Sequence, residues 1–490
     1  MMIASPFPLR RLTAIIALSG LFLGGTAHAL PTSDADPVRP VPVAYGVPDP
    51  MPEPSPDPAG SSAFPEGAGS SAPSAAGPDK RWALFGQTTF TAMTTTGFRH
   101  PYAGDHSLPV NDLRETFDAS LYLGVRAWAG AEIWATGEVD QGFGVGNTLG
   151  LAGYASGEAY KLGKAQPYTR LQRLYLRQTF ALGGASTHID AAANQMAGTQ
   201  TENRLVITVG KFGVADIFDA NRYAHDPRGD FLNWSLIDSG AFDYAGDPWG
   251  FSYGAAAELV LKAWTLRAGL FNLTDMPGGM APVTDLSFYQ VIGEIEHRHT
   301  IGGHPGAVRA AIWVNHGRLG AYADAVAWGA ANAAVPDVSA VQTTTHNRVG
   351  GYINAEQELT ATLGAFLRLS AADGRYAVFD FTDIDRSASI GLSLAGKGWH
   401  RPGDTLALGL VANAISSQAK AYFGAGGLGL LIGDGVLPHP GTETIVEASY
   451  TWRPIGPLAV TFDAQAIANP AYNRDRGPVG VLGLRLHAAF

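Results

Sequence analysis

The sequence contains no cysteine and few charged residues, and each shortage excludes a class of protein. Without cysteine the chain has no disulfide bonds, no thiolate nucleophile and no cysteine-ligated metal. Only 16% of its 490 residues are Asp, Glu, Lys or Arg, and the formal net charge is −10. An acidic balance of this kind argues against a nucleic-acid partner, which requires a basic surface.

Beyond the N-terminal region the sequence has no run of about 18 apolar residues, which argues against a transmembrane helix there. The N-terminal region itself combines the basic pair Arg10 and Arg11 with an apolar stretch over residues 12–23 and a small-x-small site ending at Ala29. This pattern predicts an export signal over residues 1–29 that is cleaved after Ala29. Export without disulfide bonds fits a bacterial envelope protein better than a eukaryotic secreted one.

Residues 30–80 are dominated by proline, serine, alanine and glycine, with almost nothing that could pack into a core. This composition predicts a disordered or polyproline-like linker. We favour a passive tether over a specific binding role in the periplasm or at the cell wall. The composition changes after residue 80, and residues 81–490 form the predicted folded domain.

Apolar and polar residues alternate regularly after the linker. In the stretch SLYLGVRAW, Leu121, Leu123 and Val125 fall on one face, whereas Tyr122 and Arg126 fall on the other. A period of two indicates strands that lie between an apolar and an aqueous environment. A soluble β-sandwich would show the same alternation, so this pattern alone does not decide the fold.

Three further features favour a membrane barrel. The candidate strands have about 10–13 residues, the length of a tilted membrane crossing. They recur about every 25 residues, which gives about 16 strands. The last one carries Leu482, Leu484, Leu486 and Phe490 on one face. The predicted fold is therefore all-β: an antiparallel transmembrane β-barrel in the outer membrane of a Gram-negative cell.

Residues 210–248 combine charge with aromatic rings. The part up to residue 234 contains four aspartates, three basic residues and five aromatic residues. Neither a solvated loop nor a buried core suits this mixture, whereas the water-filled lumen of a wide barrel does. We therefore predict a constriction loop that folds inward; the alternative is a packed cap held by internal Asp–Arg pairs. Its candidate pore-lining residues are Asp219, Arg222, Tyr223, His225, Asp226, Arg228 and Trp234.

The predicted barrel wall also contributes charged residues to the pore. Arg173 and Arg177 share one face of a strand, about 13 Å apart along the wall. We expect at least one of them to remain available to solutes. The alternative is that each is locked to a lumen glutamate and only supports the wall. The other candidate wall residues are Arg126, Glu132, Tyr175, Glu294 and Glu296.

Motifs for catalysis or cofactor binding are weak. Residues 424–429 match GxGxxG without the helix that should follow, and Gly398 stands where a P-loop needs Ser or Thr. His297, His299 and His304 have no acidic or cysteine partners at ligand spacing. No GxSxG or HExxH motif is present. We therefore expect a protein that is not an enzyme and that has no cofactor and no metal.

Four blocks of sequence resemble the carbohydrate-selective porins of the OprB type, and the resemblance extends over residues 82–490. The blocks are residues 210–247, 381–410, 425–435 and 469–490. This resemblance implies a sixteen-stranded outer-membrane barrel through which glucose and other sugars diffuse. It also implies a constriction lined by arginines, acids and aromatic residues, with carbohydrates as solutes and outer-membrane lipid as the surroundings.

The chain departs from that family in its linker and in an Ala-rich insertion at residues 321–340, which we place in an extracellular loop. The preferred sugar and the association of barrels into a homo-oligomer stay open. The alternative functions are a general diffusion porin, an outer-membrane enzyme and a barrel associated with polysaccharide export.

Overall fold

The computed structural model describes residues 80–159, 163–380 and 383–490. The predicted export signal, and the predicted linker as far as residue 79, lie outside the described residues. Sixteen strands within these ranges close into one antiparallel barrel, in which β1 also pairs with β16. They are β1 (Trp82–Thr95), β2 (Leu113–Trp128), β3 (Ala131–Gly142), β4 (Lys164–Ile189), β5 (Gly198–Gly213), β6 (Phe251–Leu261), β7 (Trp264–Asn272), β8 (Tyr289–Ile301), β9 (His304–Arg318), β10 (Thr345–Thr360), β11 (Leu363–Ala372), β12 (Arg386–Ala395), β13 (Thr405–Ala414), β14 (Glu443–Ile455), β15 (Leu458–Ala468) and β16 (Val479–Ala489).

The predicted barrel is confirmed, and the alternation sorts the residues between its two faces. On β2, Leu121, Leu123 and Val125 are exposed on the outside, whereas Tyr122 is buried on the lumen side. The exception in length is β4, whose 26 residues far exceed the expected 10–13. The outer face is therefore an apolar surface of the kind that a lipid bilayer surrounds.

The two ends of the barrel differ in the length of their connections. At one end the turns are short, such as residues 129–130, 262–263 and 302–303. At the other end the connections are long, the longest being residues 214–250. In outer-membrane barrels short turns face the periplasm and long loops face outward. Exposed aromatic residues near the short-turn end include Trp82, Trp128, Phe180, Trp264, Trp452 and Phe490.

Three short α-helices lie in the long connections: α1 (Trp234–Ile237), α2 (Tyr322–Asn332) and α3 (Ser417–Gly424). The Ala-rich insertion contains α2, and Tyr322 at its start packs on Tyr422 of α3 with ring centroids 5.1 Å apart. This places the insertion in the long connection between β9 and β10, at the end where we predicted it. None of the helices in the described ranges is long and apolar enough to cross a membrane.

The hydrophobic core lies inside the barrel, where the connection over residues 214–250 folds into the lumen. We call this connection the inward loop. Most of its aromatic side chains are buried, and Phe242 packs against Trp313 of β9 at 4.8 Å between ring centroids. The inward folding predicted for this segment is therefore observed.

Glycines on the lumen wall make room for the side chains that pack there. A Cβ atom at Gly409 of β13 would lie 2.7 Å from the methyl groups of Leu236. At Gly364 of β11 it would lie 2.0 Å from the ring of Tyr223. Both Leu236 and Tyr223 belong to the inward loop. The missing side chains thus form shallow sockets in the wall into which the loop fits.

Candidate functional site

The first turn of the inward loop is fixed to β4 by a buried ion pair. Both Nε and Nη2 of Arg173 donate to the carboxylate of Asp216, at 2.8 and 2.6 Å. The amide of Gly213 donates to the same carboxylate at 2.9 Å. Arg173 is only 1% exposed. We expected at least one of Arg173 and Arg177 to remain available to solutes; the structure places Arg173 between wall and loop as a structural support.

Asp219 joins the loop to β10 and β11. Its carboxylate accepts hydrogen bonds from the amide of Ser239 at 2.6 Å and from Nδ2 of Asn354 at 2.7 Å. Arg368 of β11 donates to the Asp219 carbonyl at 3.1 Å and to the Leu236 carbonyl at 2.6 Å. Asp219 is fully buried. It is therefore an anchor of the loop rather than a surface that a passing solute touches.

Arg228 fixes the loop to the opposite part of the wall. Its Nη2 lies 3.3 Å from the carboxylates of Asp118 on β2 and Glu138 on β3. Its Nε lies 3.4 Å from Glu158. Three carboxylates around one buried guanidinium make this a charge cluster that packing encloses. Like Asp219, Arg228 is a predicted pore residue that the structure withdraws from water.

The helix α1 sits on β14 and among aromatic residues. Glu447 of β14 accepts hydrogen bonds from the amides of Leu232 and Asn233, at 2.6 and 2.8 Å. Trp234 stacks on Tyr154 with ring centroids 5.1 Å apart and contacts Tyr244 at 5.7 Å. Trp234 is fully buried. We predicted Trp234 as a pore-lining residue, but its ring packs inside the filled lumen.

The residues that keep contact with water lie on one edge of the loop, which we call the loop edge (residues 222–230). The Arg222 side chain is 43% exposed, and its Nη1 lies 3.8 Å from Glu358. Its guanidinium carbon lies 5.8 Å from the centre of the half-buried Tyr223 ring. Asp226 is also half-buried. The loop edge therefore presents a cation beside an aromatic ring, and it also carries a partly exposed carboxylate.

His225 lies on the same edge without adding charge to it. Burial, together with the positive charge of the neighbouring Arg368, lowers the pKa of His225 to about 4. The imidazole is therefore neutral at pH 7. Its Nδ1 lies 3.7 Å from a carboxylate oxygen of Asp238.

The predicted glutamates of β8 are neutralised by arginines on neighbouring strands. Glu294 accepts from Nη1 of Arg267 at 2.6 Å. Glu296 accepts from the same Arg267 nitrogen at 3.0 Å and from Nε of Arg309 at 2.9 Å. Both glutamates are buried. This is a ladder of alternating charge on the wall, in which each carboxylate has an arginine partner.

The remaining predicted wall residues meet the tip of the β4–β5 hairpin. Nη2 of Arg126 donates to the carbonyl of Ala197 at 2.5 Å, and Nη1 of Arg177 donates to the carbonyl of Asn194 at 2.7 Å. Glu132 accepts from the amide of Met196 at 3.4 Å. Tyr175, also predicted, is buried on the same part of the wall. The structure thus brings Arg126, Glu132, Tyr175 and Arg177 together, with Tyr175 buried and the three charged side chains half-buried beneath the hairpin tip.

Sequence reasoning missed several lumen residues. Arg368 lies between Leu367 and Leu369, so the same alternation that identified Arg126 would have placed it on the lumen side. The half-buried Glu356 and Arg453 follow from the alternation of β10 and β14 in the same way. Glu356 accepts a hydrogen bond from the amide of Arg222 at 2.7 Å. It therefore belongs to the surroundings of the loop edge.

Comparison with known proteins finds a matching family and similar solved structures. Residues 106–490 match the model of a family described as carbohydrate-selective porin, OprB family. The high pH structure of Pseudomonas putida OprB is similar, with 17% identity over 84% of this chain and 94% of that chain, and a TM-score of 0.62. The outer membrane channel DcaP of Acinetobacter baumannii is similar at 11% identity over 84% of this chain and 97% of that chain, with a TM-score of 0.46. No curated protein matches significantly.

Proposed function

Because the chain belongs to the OprB family of carbohydrate-selective porins, we propose that Arg222, Tyr223 and Asp226 on the loop edge are the groups that contact its solutes. The protein is an outer-membrane porin for carbohydrates. The observation that carries the proposal is the exposure of the Arg222 side chain, because most other charged residues predicted for the pore are buried in ion pairs.

The chemistry of the loop edge suits a sugar that must bind and leave quickly. Sugar hydroxyl groups donate to a carboxylate and accept from a guanidinium, and water replaces both contacts readily. The face of a tyrosine ring offers an apolar surface to the C–H groups of a sugar ring. Weak contacts of this kind recruit solute without trapping it, as conduction requires.

We expect Arg222→Ala to slow sugar entry and to weaken the block of ion current by sugar. Loss of a charge-assisted hydrogen bond costs about 1.5–3 kcal/mol, so the sugar concentration for half block should rise by at least about tenfold. Liposome swelling with glucose and single-channel block by glucose measure the two effects. Swelling with triethylene glycol, a neutral solute without sugar hydroxyls, should change much less.

Arg375→Ala is the matched control, because Arg375 is an exposed arginine on a long connection outside the lumen, paired with Asp373. It removes the same charge and should leave both sugar measurements unchanged. Equal losses for glucose and for triethylene glycol in Arg222→Ala would contradict a sugar contact at this residue. They would indicate a pore that selects by size, as in a general diffusion porin.

We also propose that the solutes pass unchanged. The family and the barrel are those of a channel, and the loop edge offers groups for hydrogen bonding to hydroxyls. Purified protein incubated with oligosaccharides should release no shorter product. Chromatographic detection of hydrolysis would contradict this proposal.

We further propose that lipid contacts the apolar outer face, and we expect Leu408→Arg to impair insertion. Leu408 lies in the middle of β13, beside Leu392 and Ala448, and is 50% exposed on the outside. A lipid-facing arginine at the bilayer midplane costs about 2–4 kcal/mol. The fraction of folded, heat-modifiable protein in membranes measures the effect. Val335→Arg is the control, because Val335 is exposed in the connection between β9 and β10; an equal loss there would contradict lipid contact at Leu408.

A further inference from the structure

The hairpin of β4 and β5 continues past the rim of the barrel at the short-turn end. On one side, the pairing of β4 with β3 stops at Gln178, opposite Ala131. On the other side, the pairing of β5 with β6 stops at Asn203, opposite Leu261. In the described part of the chain, residues 179–202 therefore form a ribbon of two strands without a third neighbour.

The ribbon bends near its middle. Register shifts interrupt its ladder between Ala181 and Ser186. Gly183 and Gly184 have φ angles of 94° and 93°, which side-chain-bearing residues rarely adopt. A straight ribbon with this many residues would reach about 30 Å beyond the rim. The two glycines instead allow it to turn back towards the lumen.

The tip of the ribbon lies inside the mouth of the barrel. Its backbone carbonyls accept the hydrogen bonds from Arg126 and Arg177 described above. Asn194 and Met196 of the tip are each 2% exposed. Asn194 also lines a small cavity together with Thr208 of β5 and with Asp216 and Ile217 at the start of the inward loop. The tip thus covers the lumen wall below the inward loop.

The tip of the ribbon buries fewer residues against the barrel wall than the inward loop does. A two-stranded ribbon is at best marginally stable by itself. The tip buries Asn194 and Met196, whereas nearly every residue of the inward loop is buried. An element attached in this way opens at a lower free energy than the barrel to which it is joined.

We propose that residues 179–202 are a lid on the periplasmic mouth of the channel, hinged at Gly183 and Gly184. Closed, the lid covers Arg126, Glu132 and Arg177 with its own backbone. Open, it exposes these three side chains to solutes that leave the inward loop. The proposal does not depend on Arg222 being a sugar contact, since it concerns the exit and not the loop edge.

Locking the lid tests whether it must open. The chain has no cysteine of its own, so Asn194→Cys together with Thr208→Cys provides one pair of thiols, both on the same cavity. A short, reducible bis-thiol crosslinker should lower the rate of liposome swelling with glucose, because it holds the tip of the lid on the wall. Reduction of the crosslink should restore the rate. Thr208→Cys alone, treated identically, controls for the bulk of the reagent.

Loosening the lid tests the same proposal in the opposite direction. Gly183→Ala adds no steric contact but strains the bent backbone by about 1–2 kcal/mol, so a thiol at Thr208 should be labelled about tenfold faster. Gly303→Ala is the matched control, because Gly303 has a φ of 86°, nothing near its missing Cβ and a place on the β8–β9 turn. A Thr451→Cys thiol on β14 should be labelled equally in all of them.

Replacing residues 182–203 by an Asn-Gly turn between the paired residues Ala181 and Arg204 removes most of the lid and, from the wall, only Asn203 at the end of the β5–β6 ladder. Conductance and Thr208→Cys labelling should both rise above those of the full-length hairpin. Locked protein that swells at the unlocked rate would overturn the proposal. Unchanged conductance and unchanged labelling in the protein with the shortened hairpin would also overturn the proposal, because the ribbon would then have no effect on passage through the channel.

Discussion

Replacing Arg368 by methionine should release the inward loop and open the channel to more current. Arg368 donates to two loop carbonyls, those of Asp219 and Leu236, and its Nε lies 3.3 Å from the Asp219 carboxylate. Removing one partner of a buried ion pair costs about 3–5 kcal/mol, because the other charge stays behind without compensation. Single-channel conductance should therefore rise and fluctuate between levels. Heat-modifiable mobility should persist, because the pairing of the barrel strands does not depend on this residue.

Arg401→Met provides the control for this experiment. Arg401 is exposed at the short-turn end, where it pairs with Asp404. Asp404 also accepts hydrogen bonds from the Tyr450 hydroxyl and the Arg453 amide, which remain in the variant, so conductance should match that of the unaltered protein. A steady, unchanged conductance in Arg368→Met would show that other contacts hold the loop without it.

Filling a socket in the wall should displace the same loop by steric means. At Gly409 a valine would push its side chain into Leu236, whose methyls lie 2.7 Å from the ideal Cβ position, and towards Phe231 at 3.1 Å. Overpacking of this kind costs about 1–3 kcal/mol. We expect Gly409→Val to raise conductance and to make the loop accessible to protease. Proteolysis of the purified protein, followed by mass analysis, locates the cut.

The matched control is Gly137→Val. Gly137 lies on β3, and a Cβ atom there would meet nothing within 4 Å. Both variants add the same atoms to a strand glycine, so a general loss of strand stability would appear in both. If Gly137→Val becomes as sensitive to protease as Gly409→Val, the socket explanation fails.

Much of the fold follows from alternation alone. The period of two sorted Leu121 from Tyr122 correctly, and the charged, aromatic composition of residues 210–234 indicated a loop inside a lumen. The face of a side chain is a local property, since the pleat sends successive residues to opposite sides. The resemblance to the porin family points to the same architecture through independent blocks of sequence.

The alternation of apolar and polar residues does not predict which residue each charged side chain pairs with. Arg173 was correctly placed on the lumen face, yet its partner is Asp216, which arrives from the loop that follows the next strand. Distances along the chain do not reveal such contacts. The ribbon formed by residues 179–202 was missed for another reason: it leaves the membrane, so apolar alternation no longer marks it as strand.

The inward loop also has a mechanical consequence. Its anchors reach β2 through Arg228, β10 and β11 through Asp219, β14 through Glu447 and β16 through Arg485, whose Nη2 donates to the Asp230 carbonyl at 3.1 Å. An empty tube flattens when it is squeezed from the side, because only the stiffness of its wall resists. In this barrel the inward loop connects strands at separated points around the wall and so supports the wall from inside. The cross-section of the barrel should therefore stay round under lateral pressure, and the width of the passage beside the loop should stay constant when the surrounding membrane is compressed.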